Sequence, residues 1–249
     1  KFGQTTMLEQ PLFNVSWILG RFCNYSCSYC WPYANSNVPD HQDFEVYTNA
    51  IDEIKRQARE NGFTDFHFSF SGGEPTAYKK FGDLVEYYAN DNEAKYQSIH
   101  LTTNLSPGEK WWARFINNTS HLTRRSITAS YHAEFANEKD FENRCLQLME
   151  GGVFVTINQV MVPEYFEEYY ERCSRFADKG INVTLKPQSD PTASRIVDGY
   201  TNEQIDKLQT GFPQNWNGEQ IVQMYLEDAK GNDYGLDQAE RMNAFNFNK

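Results

Sequence analysis

The sequence predicts an α/β protein: a partial (β/α)6 barrel, six parallel strands curved around a polar lumen with helices on the outside, followed by a C-terminal extension. Three observations predict it. Strand-like and helix-like segments alternate up to about residue 190, the pattern of parallel strands joined by helical crossovers. Each strand carries polar residues on one face and apolar residues on the other, whereas a parallel sheet covered on both faces reads as near-continuous apolar runs. Six such strands are too few to close an eight-stranded barrel.

The elements follow in order. Residues 1–13 read as an arm that covers one end of the barrel. Strand one spans 14–22, with Val15, Trp17 and Leu19 alternating with Asn14, Ser16, Ile18 and Gly20, and it runs directly into Cys23. A Pro- and Asn-rich loop then passes through Trp31-Pro32-Tyr33 to Pro39-Asp40, and a helix from about 44 to 60 ends at Asn61-Gly62. Further strands are predicted near 64–71, 98–104, 126–132, 153–161 and 181–188, with helices near 79–90, 107–118, 138–150 and 164–179. His67, Ser69 and Ser71 oppose Phe66, Phe68 and Phe70; His100, Thr102 and Asn104 oppose Ile99 and Leu101. The later strands repeat the pattern through Ser126, Thr128, Ser130 and His132, then Thr156 and Asn158, then Asn182, Thr184, Lys186 and Gln188. The polar faces are expected to line one cavity, with ligands at the C-terminal strand ends.

Residues 1–190 form the predicted barrel and 191–249 the extension, which contains no cysteine. Within it Thr201, with Gln204 three residues on, caps a short helix over 201–209, and 211–249 is polar and Asn/Gln-rich.

Composition narrows the function classes. Of 249 residues 39% are hydrophobic, and 18 Phe and 15 Tyr supply a substantial core. The net charge of −11, without a Lys/Arg cluster, argues against nucleic acid as a general partner. No run of about 18 apolar residues and no basic-then-apolar leader is present, so the sequence predicts neither a membrane span nor a signal peptide, and a cytoplasmic setting. The chain starts at Lys1, not Met, which fits a portion of a longer product. Five cysteines, three of them within eight residues, fit reduced thiols and not a secreted disulfide scaffold.

Those three form Cys23-Asn24-Tyr25-Ser26-Cys27-Ser28-Tyr29-Cys30, a C-x3-C-x2-C loop. Thiolates are soft ligands for iron–sulfur clusters or zinc. Three thiolates on a cubane cluster leave one iron open; a zinc-stabilised binding module is the alternative from another class, with His41 the only histidine nearby in sequence. Ser71-Gly72-Gly73-Glu74-Pro75-Thr76 ends strand two, where adjacent glycines let backbone approach a ligand closely.

Together, the aromatic-containing cysteine motif and Gly72-Gly73-Glu74-Pro75 in a βα repeat resemble the radical S-adenosylmethionine (SAM) superfamily over about residues 14–190. The resemblance implies that Cys23, Cys27 and Cys30 ligate three irons of a [4Fe-4S] cluster and that the amino and carboxylate groups of SAM chelate the fourth. It implies that Tyr29 packs near the adenine and that Gly72, Gly73 and Glu74 hold the methionyl amino group. Lumen-facing parity adds Thr102 and Asn104 for the carboxylate, Ser130 for the ribose and Asn158 for nearby polar contacts. The implied chemistry is reductive cleavage of SAM to a 5′-deoxyadenosyl radical that abstracts hydrogen from a substrate, with an electron donor such as flavodoxin or ferredoxin. A short barrel mouth favours a peptide or protein substrate, a small metabolite being the alternative. Many peptide-modifying relatives carry a cysteine-rich C-terminal extension; residues 174–249 contain no cysteine.

Lys186 and His132, at strand ends facing the lumen, are the candidate catalytic or substrate-contacting residues. His67 and His100 read as hydrogen-bonded core histidines, Cys145 and Cys173 as small core residues, and Trp111-Trp112 as packing.

Overall fold

In the computed structural model, which describes residues 12–30, 36–94 and 96–214, six strands form one parallel sheet in sequence order. They are β1 (Leu12–Ile18), β2 (Asp65–Ser71), β3 (Gln97–Thr103), β4 (Arg124–Tyr131), β5 (Phe154–Met161) and β6 (Asn182–Pro187). Five helices make the crossovers: α1 (Phe44–Glu60), α2 (Phe81–Ala89), α3 (Glu109–Asn118), α4 (Glu138–Glu150) and α5 (Phe166–Asp178). A last helix, α6 (Asn202–Thr210), follows β6. β1 and β6 are the two edges, so the sheet is open, the architecture of a partial (β/α)6 barrel. Residues 1–11, 31–35 and 215–249, which take in most of the predicted arm, Trp31-Pro32-Tyr33 and most of the polar tail, lie outside the described residues.

The alternation seen in the sequence is the alternation of the two faces. Phe66, Phe68 and Phe70 are each 0% exposed on the helix side, while His67, Ser69 and Ser71 stay partly open on the lumen side. Phe68 stacks on Tyr88 of α2 at 4.5 Å, and the Tyr88 hydroxyl donates to the Ser98 carbonyl at 2.8 Å, so the buried phenol is satisfied. Burying each such ring contributes about 1.5–3 kcal/mol. Cys145, Cys173 and Trp112 are fully buried core residues, as the sequence predicts, and the Trp112 indole N–H donates to the Pro107 carbonyl at 3.0 Å.

Polar side chains on the lumen floor pair across strands. His67 Nδ1 lies 2.7 Å from Ser98 Oγ; His100 Nδ1 lies 2.8 Å from Ser126 Oγ, and His100 Nε2 lies 3.1 Å from Thr128 Oγ1. Burial, with help from the Arg124 cation, lowers the pKa of His67 to about 3 and of His100 to about 4, so both imidazoles are neutral. Above them the register places Thr102 beside Thr128, Ser130 beside Asn158, and Asn158 beside Thr184. Lys186 pairs with Val160 one step nearer the mouth.

Several boundaries differ from the sequence reading, and two of them have a visible local cause. β1 begins at Leu12 and ends at Ile18, so Leu19–Phe22 is not strand, and β1 does not run directly into Cys23. The chain turns because the Asp40 carboxylate takes the Arg21 and Phe22 backbone N–H groups, at 2.7 and 3.0 Å. The helix predicted from 164 starts at Phe166, after a 3-10 turn over Pro163–Tyr165. The capping box of α6 forms as predicted: Thr201 Oγ1 accepts from the Gln204 N–H at 3.2 Å and Gln204 Oε1 accepts from the Thr201 N–H at 3.1 Å. Among the described residues no helix is long and apolar enough to cross a membrane.

Candidate radical SAM site

The cysteine loop stands at the C-terminal mouth of the sheet, and its approach is zipped to the end of β2. The Leu19 N–H donates to the Ser71 carbonyl at 3.1 Å, the Gly73 N–H to Gly20 at 3.0 Å and the Glu74 N–H to Phe22 at 2.9 Å. This contact needs both glycines. A Cβ on Gly72 would stand 2.4 Å from the Gly20 oxygen, and one on Gly73 would stand 2.3 Å from the Phe22 oxygen and 2.4 Å from that of Arg21. Gly72 also has φ 141, a region that other residues rarely adopt. Past the zipper the loop is closed at its base, where the Cys23 N–H donates to Ser36 at 3.2 Å and the Ser36 N–H to Arg21 at 2.8 Å.

Glu74, 2% exposed, ties β2 to β3. Its Oε1 accepts from the Thr76 N–H (2.9 Å), the Thr76 hydroxyl (2.6 Å) and the Thr103 hydroxyl (2.8 Å), and its Oε2 accepts from the Asn104 N–H (2.6 Å). Burial pushes its pKa up against the pull of these donors. Its carboxylate is thereby committed to protein groups, and what this turn offers a ligand is its backbone. Asn104 Oδ1 accepts from the Ser106 N–H at 2.9 Å and Asn104 Nδ2 donates to Asn24 Oδ1 at 3.0 Å, so the end of β3 also reaches into the cysteine loop. The next residue, Leu105, is fully buried with φ 55, backbone strain of the kind that clusters at functional sites.

Within the loop, Cys23 and Cys27 are half-buried and Cys30 is exposed. The Cys30 N–H donates to the Cys27 carbonyl at 3.0 Å, and the Tyr25 N–H points at Cys23 Sγ at 3.4 Å. Burial raises the Cys23 thiol pKa, and burial followed by the charge of Glu134 pushes that of Cys27 up to about 12. All five cysteines are described and none is in a disulfide. Among the described residues no three His, Cys, Asp or Glu side chains are gathered into a group that could hold a metal ion as the loop stands. The donor set itself, three soft thiols on one short loop with a backbone N–H directed at a sulfur, fits an iron–sulfur cluster.

The far side of the loop rests on the exit of β4. The Tyr29 hydroxyl is 2.8 Å from His132 Nδ1 and the two rings stack at 5.9 Å; burial lowers the His132 pKa to about 4. Tyr25 stacks on Phe135 at 5.0 Å, and Ser28 donates to the Glu134 carboxylate through its N–H at 2.9 Å and through its hydroxyl.

One mouth thus gathers Cys23, Cys27, Cys30, Tyr29, Gly72, Gly73, Glu74, Asn104 and His132. Thr102, Ser130 and Asn158 lie on the lumen face of their strands. Lys186 is on β6, the opposite edge strand from β1, and burial lowers its pKa. The sequence reading missed Thr103, Asp40, Asn24 and Glu134. Asp40 next to Pro39 and Glu134 just past a strand end carry a sequence signal only as acidic residues in loops. Thr103 carried the wrong parity for the lumen, since it bonds to Glu74 from the other side.

Comparison with known proteins bears on the same features. Residues 17–197 match the Radical SAM superfamily. Solved structures of similar fold include a hexahistidine-tagged anSMEcpe with bound AdoMet, at 18% identity and TM-score 0.58, covering 80% of this chain and 58% of that one. Native anSMEcpe with bound AdoMet and Kp18Cys peptide aligns at 18% identity and TM-score 0.57, again over 80% and 58%. Native anSMEcpe with bound AdoMet aligns at 18% identity and TM-score 0.56, over 89% of this chain and 62% of that one. The chain therefore spans about three fifths of the length of these structures. No curated protein matches it. The match extends over most of the sequence and takes in the cysteine loop, the glycine pair and all but the start of the open sheet; the chain belongs to the Radical SAM superfamily, enzymes that work with a [4Fe-4S] cluster and SAM.

Proposed function

We propose that this protein uses a [4Fe-4S] cluster on Cys23, Cys27 and Cys30 to cleave SAM reductively and modifies a peptide or protein substrate. When bound, the cluster and SAM supply an electron and a 5′-deoxyadenosyl radical, which takes hydrogen from a substrate carbon. The observation that carries this reading is the zipper between Gly72–Glu74 and the approach to the cysteine loop, because it sets a backbone cradle against the three thiols.

The chain's own groups divide the work. The backbone of Gly72, Gly73 and Glu74 holds the methionyl amino group, while the Glu74 side chain fixes β2 to β3. Asn104 and Thr102 serve the carboxylate side, Ser130 the ribose and Asn158 the polar contacts beside it. Tyr29, held by His132, closes the adenine side. Lys186 binds an anionic group of the substrate, and the lumen excludes water and competing hydrogen donors. His132 is engaged through Nδ1 with Tyr29, so we assign it to the loop before the substrate.

The peptide reading is supported by the open mouth and by the peptide held in one structure of similar fold. The electron comes from a donor such as flavodoxin or ferredoxin. Five cysteines outside disulfides support a reducing, cytoplasmic setting. We take residues 1–190 as the barrel and 191–249 as an extension, tied to α5 by the Lys207–Glu167 ion pair at 2.9 Å.

The test is anaerobic reconstitution with iron and sulfide, then turnover with candidate peptides deuterated at defined carbons. Deuterium appearing in 5′-deoxyadenosine identifies a substrate. A colourless protein that keeps stoichiometric zinc and is inert to SAM contradicts the reading.

A further inference from the structure

The exit of β4 makes more contact with the cysteine loop than a chain turning away from a strand requires. Glu134 receives two hydrogen bonds from one residue, Ser28, by its backbone N–H at 2.9 Å and by its hydroxyl. Two residues earlier, His132 holds the Tyr29 hydroxyl at 2.8 Å and lies under its ring. One residue later, Phe135 stacks on Tyr25 at 5.0 Å with the planes 15° apart, and the edge of His132 meets the same ring at 6.0 Å. Tyr25, Ser28 and Tyr29 are interleaved with the three cysteines, and Ser28 and Tyr29 are the two residues between Cys27 and Cys30. More than a hundred residues of chain separate each pair of partners, so local sequence does not impose these contacts.

We infer that His132, Glu134 and Phe135 form a dock that positions the cysteine loop for its cluster, with Glu134 its anchor. The inference rests on the cluster reading above. Groups that hold metal ligands in place from outside the coordination shell are worth about 10–100-fold in metal affinity. A carboxylate clamped on both donors of Ser28 fixes the backbone next to Cys27, and it sets a negative charge beside the cluster, which opposes addition of an electron. The dock is thus a positioning device with an electrostatic consequence, and none of its three residues needs to touch SAM or substrate.

The test uses the full chain, reconstituted anaerobically, as wild type, Glu134→Gln and Glu134→Ala. Iron release to a chelator is followed by absorbance, the midpoint potential by reductive titration with EPR, and apo-protein stability by thermal unfolding. Glu134→Ala should release iron about tenfold faster than wild type. Glu134→Gln, which keeps an acceptor oxygen but not the charge, should fall between them. Both variants should titrate at a more positive potential with apo-protein melting unchanged. Equal release rates, an unchanged potential, or iron loss that only follows a fall in apo-protein stability overturns the dock. A wild-type chain that takes up no iron and sulfide would overturn the cluster reading itself, so the two failures are distinguishable.

Discussion

Gly73 lies so close to Phe22 that a Cβ on it would stand 2.3 Å from the Phe22 carbonyl oxygen, while its own N–H donates to Gly20 at 3.0 Å. No side chain fits between these two backbones, and the second of them leads straight into Cys23. The glycine pair is therefore needed to bring the end of β2 against the root of the cysteine loop, before any ligand is considered. Gly73→Ala should displace Arg21 and Phe22, cost about 1–3 kcal/mol of stability through overpacking and lower the iron bound per chain after reconstitution. Gly108→Ala is the matched control, with nothing within 4 Å of its added methyl. Thermal unfolding and iron analysis read both; normal iron content in Gly73→Ala would contradict the account.

Glu74 tests the same region from inside. Glu74→Ala strands the Asn104 N–H and the Thr103 hydroxyl in a buried place, and leaving buried donors unsatisfied costs about 1–3 kcal/mol each. Glu74→Gln should also destabilise, because its amide N–H2 must face donors on one side or the other. Urea unfolding measures the loss and calorimetry the affinity for SAM, which should weaken in both variants. A Glu74→Ala protein as stable as wild type would show that the β2–β3 tie has no weight.

His67 and His100 make stability depend on pH in a defined direction. Their pKa values are lowered to about 3 and about 4, from about 6.5 in the unfolded chain. Below pH 6.5 the unfolded chain takes up protons that the folded one does not. Stability is therefore fully present above pH 6.5 and declines as pH falls toward 4, by up to about 1.4 kcal/mol per pH unit for each histidine. His100→Gln should flatten the decline in urea midpoint between pH 7 and pH 5. Parallel declines in the two proteins would contradict the burial of a neutral imidazole.

The substrate role proposed for Lys186 predicts that its loss separates radical generation from its use. Lys186→Met should leave 5′-deoxyadenosine formation without substrate close to wild type and lower peptide turnover by about tenfold or more, the loss of one hydrogen bond to a charged group. Equal losses in both reactions would place Lys186 in the SAM site instead.

The fold was legible because its two faces differ in kind. Phe66, Phe68 and Phe70 against His67, Ser69 and Ser71 state strand, burial and lumen at once, and the same rhythm recurs in β3 to β6. The cysteine spacing and the glycine pair were legible as motifs, but the steric reason for the glycines was not. That reason is an approach between segments about fifty residues apart, and periodicity carries no distance. Thr103 escaped because parity places it on the face of β3 away from the lumen, whereas its hydroxyl meets Glu74, which lies past the end of β2 where face no longer orders the contacts. Glu134 escaped for a related reason: its partner Ser28 is 106 residues away, and nothing local marks one exposed glutamate from another. Even β1 was shifted by side-chain chemistry, since Asp40 claims the N–H groups of Arg21 and Phe22 that a longer strand would have used.

The central claim is that Cys23, Cys27 and Cys30 hold the cluster at which SAM is cleaved. The most direct measurement is the yield of 5′-deoxyadenosine from anaerobically reconstituted protein given SAM and a strong reductant, for wild type and for each cysteine changed singly to alanine. Product is expected in wild type and none above background in Cys23→Ala, Cys27→Ala or Cys30→Ala, with Cys145→Ala and Cys173→Ala still active. Wild-type protein that carries the cluster yet yields no 5′-deoxyadenosine, or a Cys27→Ala variant that yields as much as wild type, would contradict it.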